Sequence, residues 1–179
     1  YKQINNVNRI IVSSYERVKA ATKRYCLKLR SDMLLESDKF LDYYNRYSRY
    51  ISPHSPFARR VMVEGLSTTE SLTYDVSDWY YLGLKEDIIR IFDIPLYSNE
   101  NIPYFEMKEH LGEKPKYETI ICQYLPKQYI AYRFLKKVIH PMPEFKHAFI
   151  RMAEHEEIFR RFIAGSLLCV EFSESGIIL

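Results

Sequence analysis

The chain predicts an α/β fold, a mixed sheet flanked by helices. Three observations carry that reading. Apolar residues recur with a helical period in several stretches, short alternating or wholly apolar runs fall between them, and the two kinds interleave along the chain. The 179 residues give room for one domain with a real core, and 47% hydrophobic against 27% charged residues marks a globular chain, not a disordered one.

The first helix is expected where Val7, Ile11, Ser14, Val18 and Ala21 form one stripe, widened by Ile10 and capped by Asn5 or Asn6. Asn8 and Arg9 lie in its first turn, where an amide and a cation can meet an anion; a solvated turn is the plainer alternative. Next, Tyr25-Cys26-Leu27-Lys28-Leu29-Arg30-Ser31-Asp32 alternates and then ends in a charged tripeptide. Cys26 and Lys28 fall on one face, with Tyr25, Leu27 and Leu29 on the other. This run reads as the inner strand of the sheet, presenting its tip where open α/β sheets bind ligands. A lone Asp at that place more commonly caps a turn.

A helix is predicted from about Asp38 to Tyr50, with Phe40, Leu41, Tyr44, Tyr47 and Tyr50 among Arg46 and Arg49. It is either an aromatic helix packed on the sheet or a stacking surface for nucleic acid. Ser52 to Pro56 is a loop by composition, and Arg59 to Glu64 alternates as a strand. From Leu72 to Leu84 a short strand is expected to end near Val76, with a turn capped by Ser77 or Asp78 and a bend at Gly83. Lys85-Glu86-Asp87 opens a helix striped by Ile88, Ile91 and Phe92 and closed before Pro95. Residues 95 to 118 are poorly patterned and read as a long excursion over an active face. Pro126 starts a helix with Tyr129, Ile130, Phe134, Leu135 and Val138 as its stripe. Another runs from about Glu144 to Ala164, ending at Gly165, and Ser166 to Phe172 reads as a strand.

Several classes are disfavoured. A net charge of +3 is too small to argue for nucleic acid. Three scattered cysteines make neither a zinc pair nor a disulfide framework, so a reducing, cytoplasmic setting is expected. There is no apolar run of about twenty residues and no visible signal peptide. The start at Tyr1 and the strand-like finish Gly176-Ile177-Ile178-Leu179 suggest a segment cut from a longer protein at both ends. With five glycines and no Gly-rich phosphate loop, a nucleotide phosphate is not held by backbone in the usual way; a cation held by carboxylate is the alternative. His147 and His155 sit eight apart on nearly one face of a predicted helix and read as surface or core-edge histidines.

Asn8-Arg9-Ile10, Ser13-Ser14, Ala20-Ala21 and the run from Tyr25 to Asp32 resemble the WavE lipopolysaccharide-synthesis family. So do Val76-Ser77-Asp78-Trp79, Leu82-Gly83-Leu84 and Leu125-Pro126-Lys127-Gln128-Tyr129, and the resemblance spans residues 5 to 172. It implies a glycosyltransferase of the A-type fold, moving a sugar from a nucleotide-activated donor to a growing lipopolysaccharide or capsular saccharide in a Gram-negative bacterium. The base-binding strands of such a fold would precede Tyr1. The acidic motif reads Arg30-Ser31-Asp32 in place of Asp-x-Asp, leaving Asp32 to hold a Mg2+ or Mn2+ ion and Arg30 to meet the diphosphate directly. Asn8 and Arg9 complete the expected nucleotide-sugar contacts. Asp78 is the expected base, with Asp75 second, and Trp79 and Tyr80 are expected to stack on the acceptor. A saccharide or lipid-linked saccharide acceptor implies a peripheral place at the inner membrane, and no nucleic-acid partner. The competing expectation is a non-catalytic interaction or nucleic-acid-binding domain, for which the missing second carboxylate and the Tyr/Arg helix speak.

Overall fold

The computed structural model describes residues 6–68, 70–98, 123–146 and 148–178. Along them run α1 (Val7–Ala20), β1 (Tyr25–Leu29), β2 (Leu34–Leu35), α2 (Lys39–Tyr47), β3 (Val61–Glu64) and β4 (Tyr80–Leu84). Then follow α3 (Lys85–Phe92), α4 (Pro126–Val138), α5 (Ala153–Ser166), β5 (Leu167–Val170), α6 (Phe172–Ser175) and β6 (Ile177–Ile178). Four strands form a mixed sheet in the order β1-β4-β3-β5, and β2 pairs with β6 apart from it. The β1/β4 and β4/β3 pairs are antiparallel, and β3/β5 is parallel. The mixed α/β architecture is therefore as the sequence predicts.

Alternation sorts the sheet's side chains into two cores. Cys26, Val61, Val63, Tyr81 and Leu167 face the larger one, together with residues of α1, α3, α4 and α5. Leu27, Leu29, Met62, Tyr80, Leu82 and Val170 face the smaller one, with Phe40 and Tyr44 of α2 and Phe172 of α6. Phe40 and Tyr44 thus make α2 a helix packed on the sheet, which is the first of its two sequence readings.

Four expectations are corrected. The alternating run is the edge strand β1, not an inner one. The inner places go to β3 and β4, every residue of which is buried, and burial on both faces is what an inner strand requires. No strand ends at Val76: the described residues from Leu72 to Trp79 are irregular, and Tyr74 takes a left-handed φ of 66°. Gly83 does not bend the chain but sits inside β4, where a Cβ would lie 3.4 Å from the Val61 side chain. The helix expected from Glu144 begins only at Ala153 and runs through Gly165 to Ser166. Most of the excursion over residues 95 to 118, together with His147, Cys122 and Leu179, lies outside the described residues. Among the described residues no helix is long and apolar enough to cross a membrane.

Candidate functional site

The tip of β1 opens into a cleft of about 1310 Å³, walled by α1, β1, the Asp78-Trp79 turn and the first residues of α4. Each wall follows from its local sequence. The apolar stripe of α1 packs inward through Val7, Ile11, Ser14 and Val18, which turns Arg9 and Arg17 toward the opening. Pro126 fixes the start of α4 and sets Lys127 at the rim, because its missing N–H costs nothing at a helix start. Pairing of Leu29 with Tyr80 carries the chain from β1 past the residues just ahead of β4, and Arg30 N–H donates to the Trp79 carbonyl at 3.1 Å.

Five of the eight candidate residues line this cleft: Arg9, Arg30, Asp32, Asp78 and Trp79. The Arg30 guanidinium grips Asp32 through Nε to Oδ1 at 3.0 Å and Nη2 to Oδ2 at 2.5 Å. Those bonds hold the Asp32 carboxyl below its ordinary range and raise Arg30 above its own. Both side chains are about half exposed, so the pair is a surface feature that contributes little to stability. Arg30 also lies 5.0 Å from the Trp79 ring centroid, and Trp79 rests on Phe172 at 5.1 Å. The indole thus has a cation over its ring and a tilted aromatic against it.

The remaining three are placed elsewhere. Asn8 clasps the backbone of Tyr97, donating from Nδ2 to its carbonyl at 2.9 Å and accepting its N–H at 2.6 Å, so its amide is committed to a contact 89 positions away. Tyr80 is fully buried, with its hydroxyl donating to the Val170 carbonyl at 2.7 Å. It has no free face for a sugar, because β4 turns it into the smaller core. Asp75 is buried behind Lys127, whose Nζ stands 3.2 Å from its Oδ1. That ionic contact lacks hydrogen-bond geometry, which leaves Oδ1 buried without a hydrogen bond. Burial raises the Asp75 carboxyl, and Lys127 pulls it back only in part.

Two cations that the sequence reading passed over are central here. Lys28 Nζ donates to the main-chain carbonyl of Asp78 and sits 5.6 Å from the ring centroid of Tyr81, its cross-strand partner. Burial pushes its ammonium down to about 8, against the pull of nearby Asp78. Lys127, besides meeting Asp75, reaches the Ser67 carbonyl at 3.3 Å. The loop that carries Ser67 is organised by Glu64 at the end of β3, whose buried carboxylate accepts the N–H groups of Leu66 and Ser67 at 2.5 and 2.8 Å. Thr68 Oγ1 in turn accepts the Ser77 N–H at 3.0 Å, bracing the residue before Asp78. The signal for Lys127 was present in the sequence as a Pro-Lys helix start; Lys28 showed itself only as a lysine inside an apolar strand.

Among the described residues no group of three or more His, Cys, Asp or Glu side chains converges, so they form no all-protein cage for a cation, and Asp32 at the cleft is paired with Arg30 through both oxygens. His155 is a core residue: its Nε2 bonds the Glu144 carbonyl at 3.1 Å and its Nδ1 the Tyr74 hydroxyl at 2.6 Å. The cleft is instead lined by six cationic side chains, Arg9, Arg17, Lys23, Lys28, Arg30 and Lys127, against the carboxylates of Asp32 and Asp78.

Fold and site together define a mixed α/β protein with a cationic cleft at a strand tip, closed by a carboxylate and an indole. Residues 2–179 match the family model described as WavE lipopolysaccharide synthesis, and the chain belongs to that family. Membership implies a role in lipopolysaccharide synthesis. No curated protein and no solved structure matches the chain.

Proposed function

We propose that the protein is a glycosyltransferase of the A-type fold that passes a sugar from a nucleotide-activated donor to a growing lipopolysaccharide or capsular saccharide. The single observation that supports this most is the meeting of Arg30, Asp78 and Trp79 at one open cleft that is rich in cations. Breaking the bond between the anomeric carbon and the donor's phosphate leaves an electron pair on a nucleoside diphosphate. Fixed guanidinium and ammonium groups stabilise that charge as it develops. Arg30 suits the task, since Asp32 occupies one edge of its guanidinium and leaves further N–H donors for phosphate oxygens. The acceptor hydroxyl forms the new bond to the anomeric carbon and releases its proton to the Asp78 carboxylate. Trp79, positioned by Arg30 and Phe172, lines the cleft and supplies the aromatic surface for the acceptor ring. A lipid-linked acceptor places the protein at the cytoplasmic face of the inner membrane.

Release of nucleoside diphosphate from a panel of UDP-, GDP- and ADP-sugars, with and without a lipopolysaccharide acceptor, tests this reading. Turnover of one donor that Asp78→Asn lowers by about 10²–10⁴ is expected. No release from any donor, or an Asp78→Asn variant as active as the parent, contradicts it.

A further inference from the structure

We infer that Lys28, Arg30 and Lys127 act as a built-in positive cluster that binds the donor's diphosphate without any divalent cation. This rests on the transferase reading and specifies how its leaving group is held. The three side chains line one cleft and come from β1, from the residue that follows it and from the first turn of α4. Each is already fixed by the fold. The Asp78 carbonyl takes one of the three N–H donors of Lys28, Asp32 orients Arg30 from one edge, and Asp75 with the Ser67 carbonyl anchors Lys127. A cluster positioned before the ligand arrives loses little entropy on binding.

The anchors also set where charge is missing. Asp75 is buried at Lys127 and is not among the residues that line the cleft. Lys28 is paired with a neutral carbonyl, so its positive charge is not cancelled by the atom that holds it. Asp32, the residue best placed by sequence to hold a cation, has both oxygens occupied by Arg30. A diphosphate entering the cleft therefore meets two ammonium groups and a guanidinium, which outnumber the carboxylates of Asp32 and Asp78 beside them. When the bond to the sugar breaks, the electron pair goes to the terminal phosphate oxygen. These three groups then carry the added negative charge, and no oxidant, reductant or further reactant is needed.

Calorimetric titration of the full chain with inorganic pyrophosphate and with UDP, in EDTA and again with excess Mn2+, tests the inference. Pyrophosphate leaves the nucleotide base out of the measurement. Binding in EDTA within about twofold of that in Mn2+ is expected, with Lys28→Met and Lys127→Met each weakening it about tenfold. Circular dichroism establishes that each variant is folded, and Lys127→Met, at the partly exposed rim, serves if Lys28→Met does not fold. Binding that appears only with Mn2+ overturns the inference and leaves the transferase reading standing. Binding in EDTA that neither substitution changes overturns the assignment to these lysines. Failure to bind pyrophosphate or UDP under either condition removes the diphosphate site, and the transferase reading with it.

Discussion

Tyr74→Phe should destabilise the protein by about 2 kcal/mol, and the structure says why. Tyr74 and His155 are fully buried, and the Tyr74 hydroxyl meets His155 Nδ1 at 2.6 Å while Nε2 meets the Glu144 carbonyl at 3.1 Å. A carbonyl can only accept, so Nε2 carries a proton. Burial lowers the imidazole's proton affinity below the ordinary value of 6.5, which favours the neutral ring, and in that form Nδ1 accepts from the tyrosine hydroxyl. Removing the hydroxyl loses a bond that contributes about 1 kcal/mol and strands a buried nitrogen at a cost of about 1–3 kcal/mol. The ring, its edge-on contacts with Phe145 and Phe159, and the left-handed backbone at this position all remain. For a chain of this size about 2 kcal/mol corresponds to roughly 4–8 °C in melting temperature. Urea unfolding followed by circular dichroism measures the change, and a shift in midpoint without a change in slope identifies it as stability. The parent should also lose stability as pH falls below 6.5, because the unfolded histidine takes up a proton that the folded one resists. His155→Gln should flatten that dependence. A Tyr74→Phe variant within 0.5 kcal/mol of the parent would refute the reasoning, as the whole estimate rests on that one bond.

Tyr80→Phe should cost about 1 kcal/mol by losing its bond to the Val170 carbonyl, and should leave donor turnover unchanged, since the ring lies in the core; melting temperature and product release measure the two effects. Trp79→Ala should raise the acceptor KM far more than the donor KM, because it removes the aromatic surface that lines the cleft; steady-state kinetics with each substrate varied in turn decides it. Gly165→Val should destabilise by about 1–3 kcal/mol, since even a Cβ there falls 2.8 Å from the Ser52 Cβ; denaturant titration measures it.

How much was legible in the sequence depends on how each residue advertises its place. The stripes of α1, α3 and α4 repeat at helical spacing, and Pro126 marks the start of α4, so all three could be drawn from the sequence. The strand β4 could not, because Tyr80-Tyr81-Leu82-Gly83-Leu84 is buried on both faces and shows no alternation to read. The same fact moved β1 from the centre to the edge. At the site, Arg30, Asp32, Asp78 and Trp79 stood out as charged or aromatic residues just beyond apolar runs, and all four share the cleft. Asn8 looked equally suitable, but its partner Tyr97 is 89 positions away, a pairing that only the tertiary fold creates. Lys28 was hidden for the opposite reason: its alternation placed it on a face correctly, and nothing local announced the Asp78 carbonyl that turns its ammonium toward the cleft.

The central claim is that the groups at the tip of β1 hold a departing diphosphate. The most direct test is a crystal structure of the chain soaked with UDP in the presence of EDTA. The account predicts diphosphate oxygens within about 3 Å of the Arg30 guanidinium and the Lys28 ammonium, with Trp79 open to the remaining space. A nucleotide bound away from that cleft, with Arg30 and Lys28 making no phosphate contact, would contradict it.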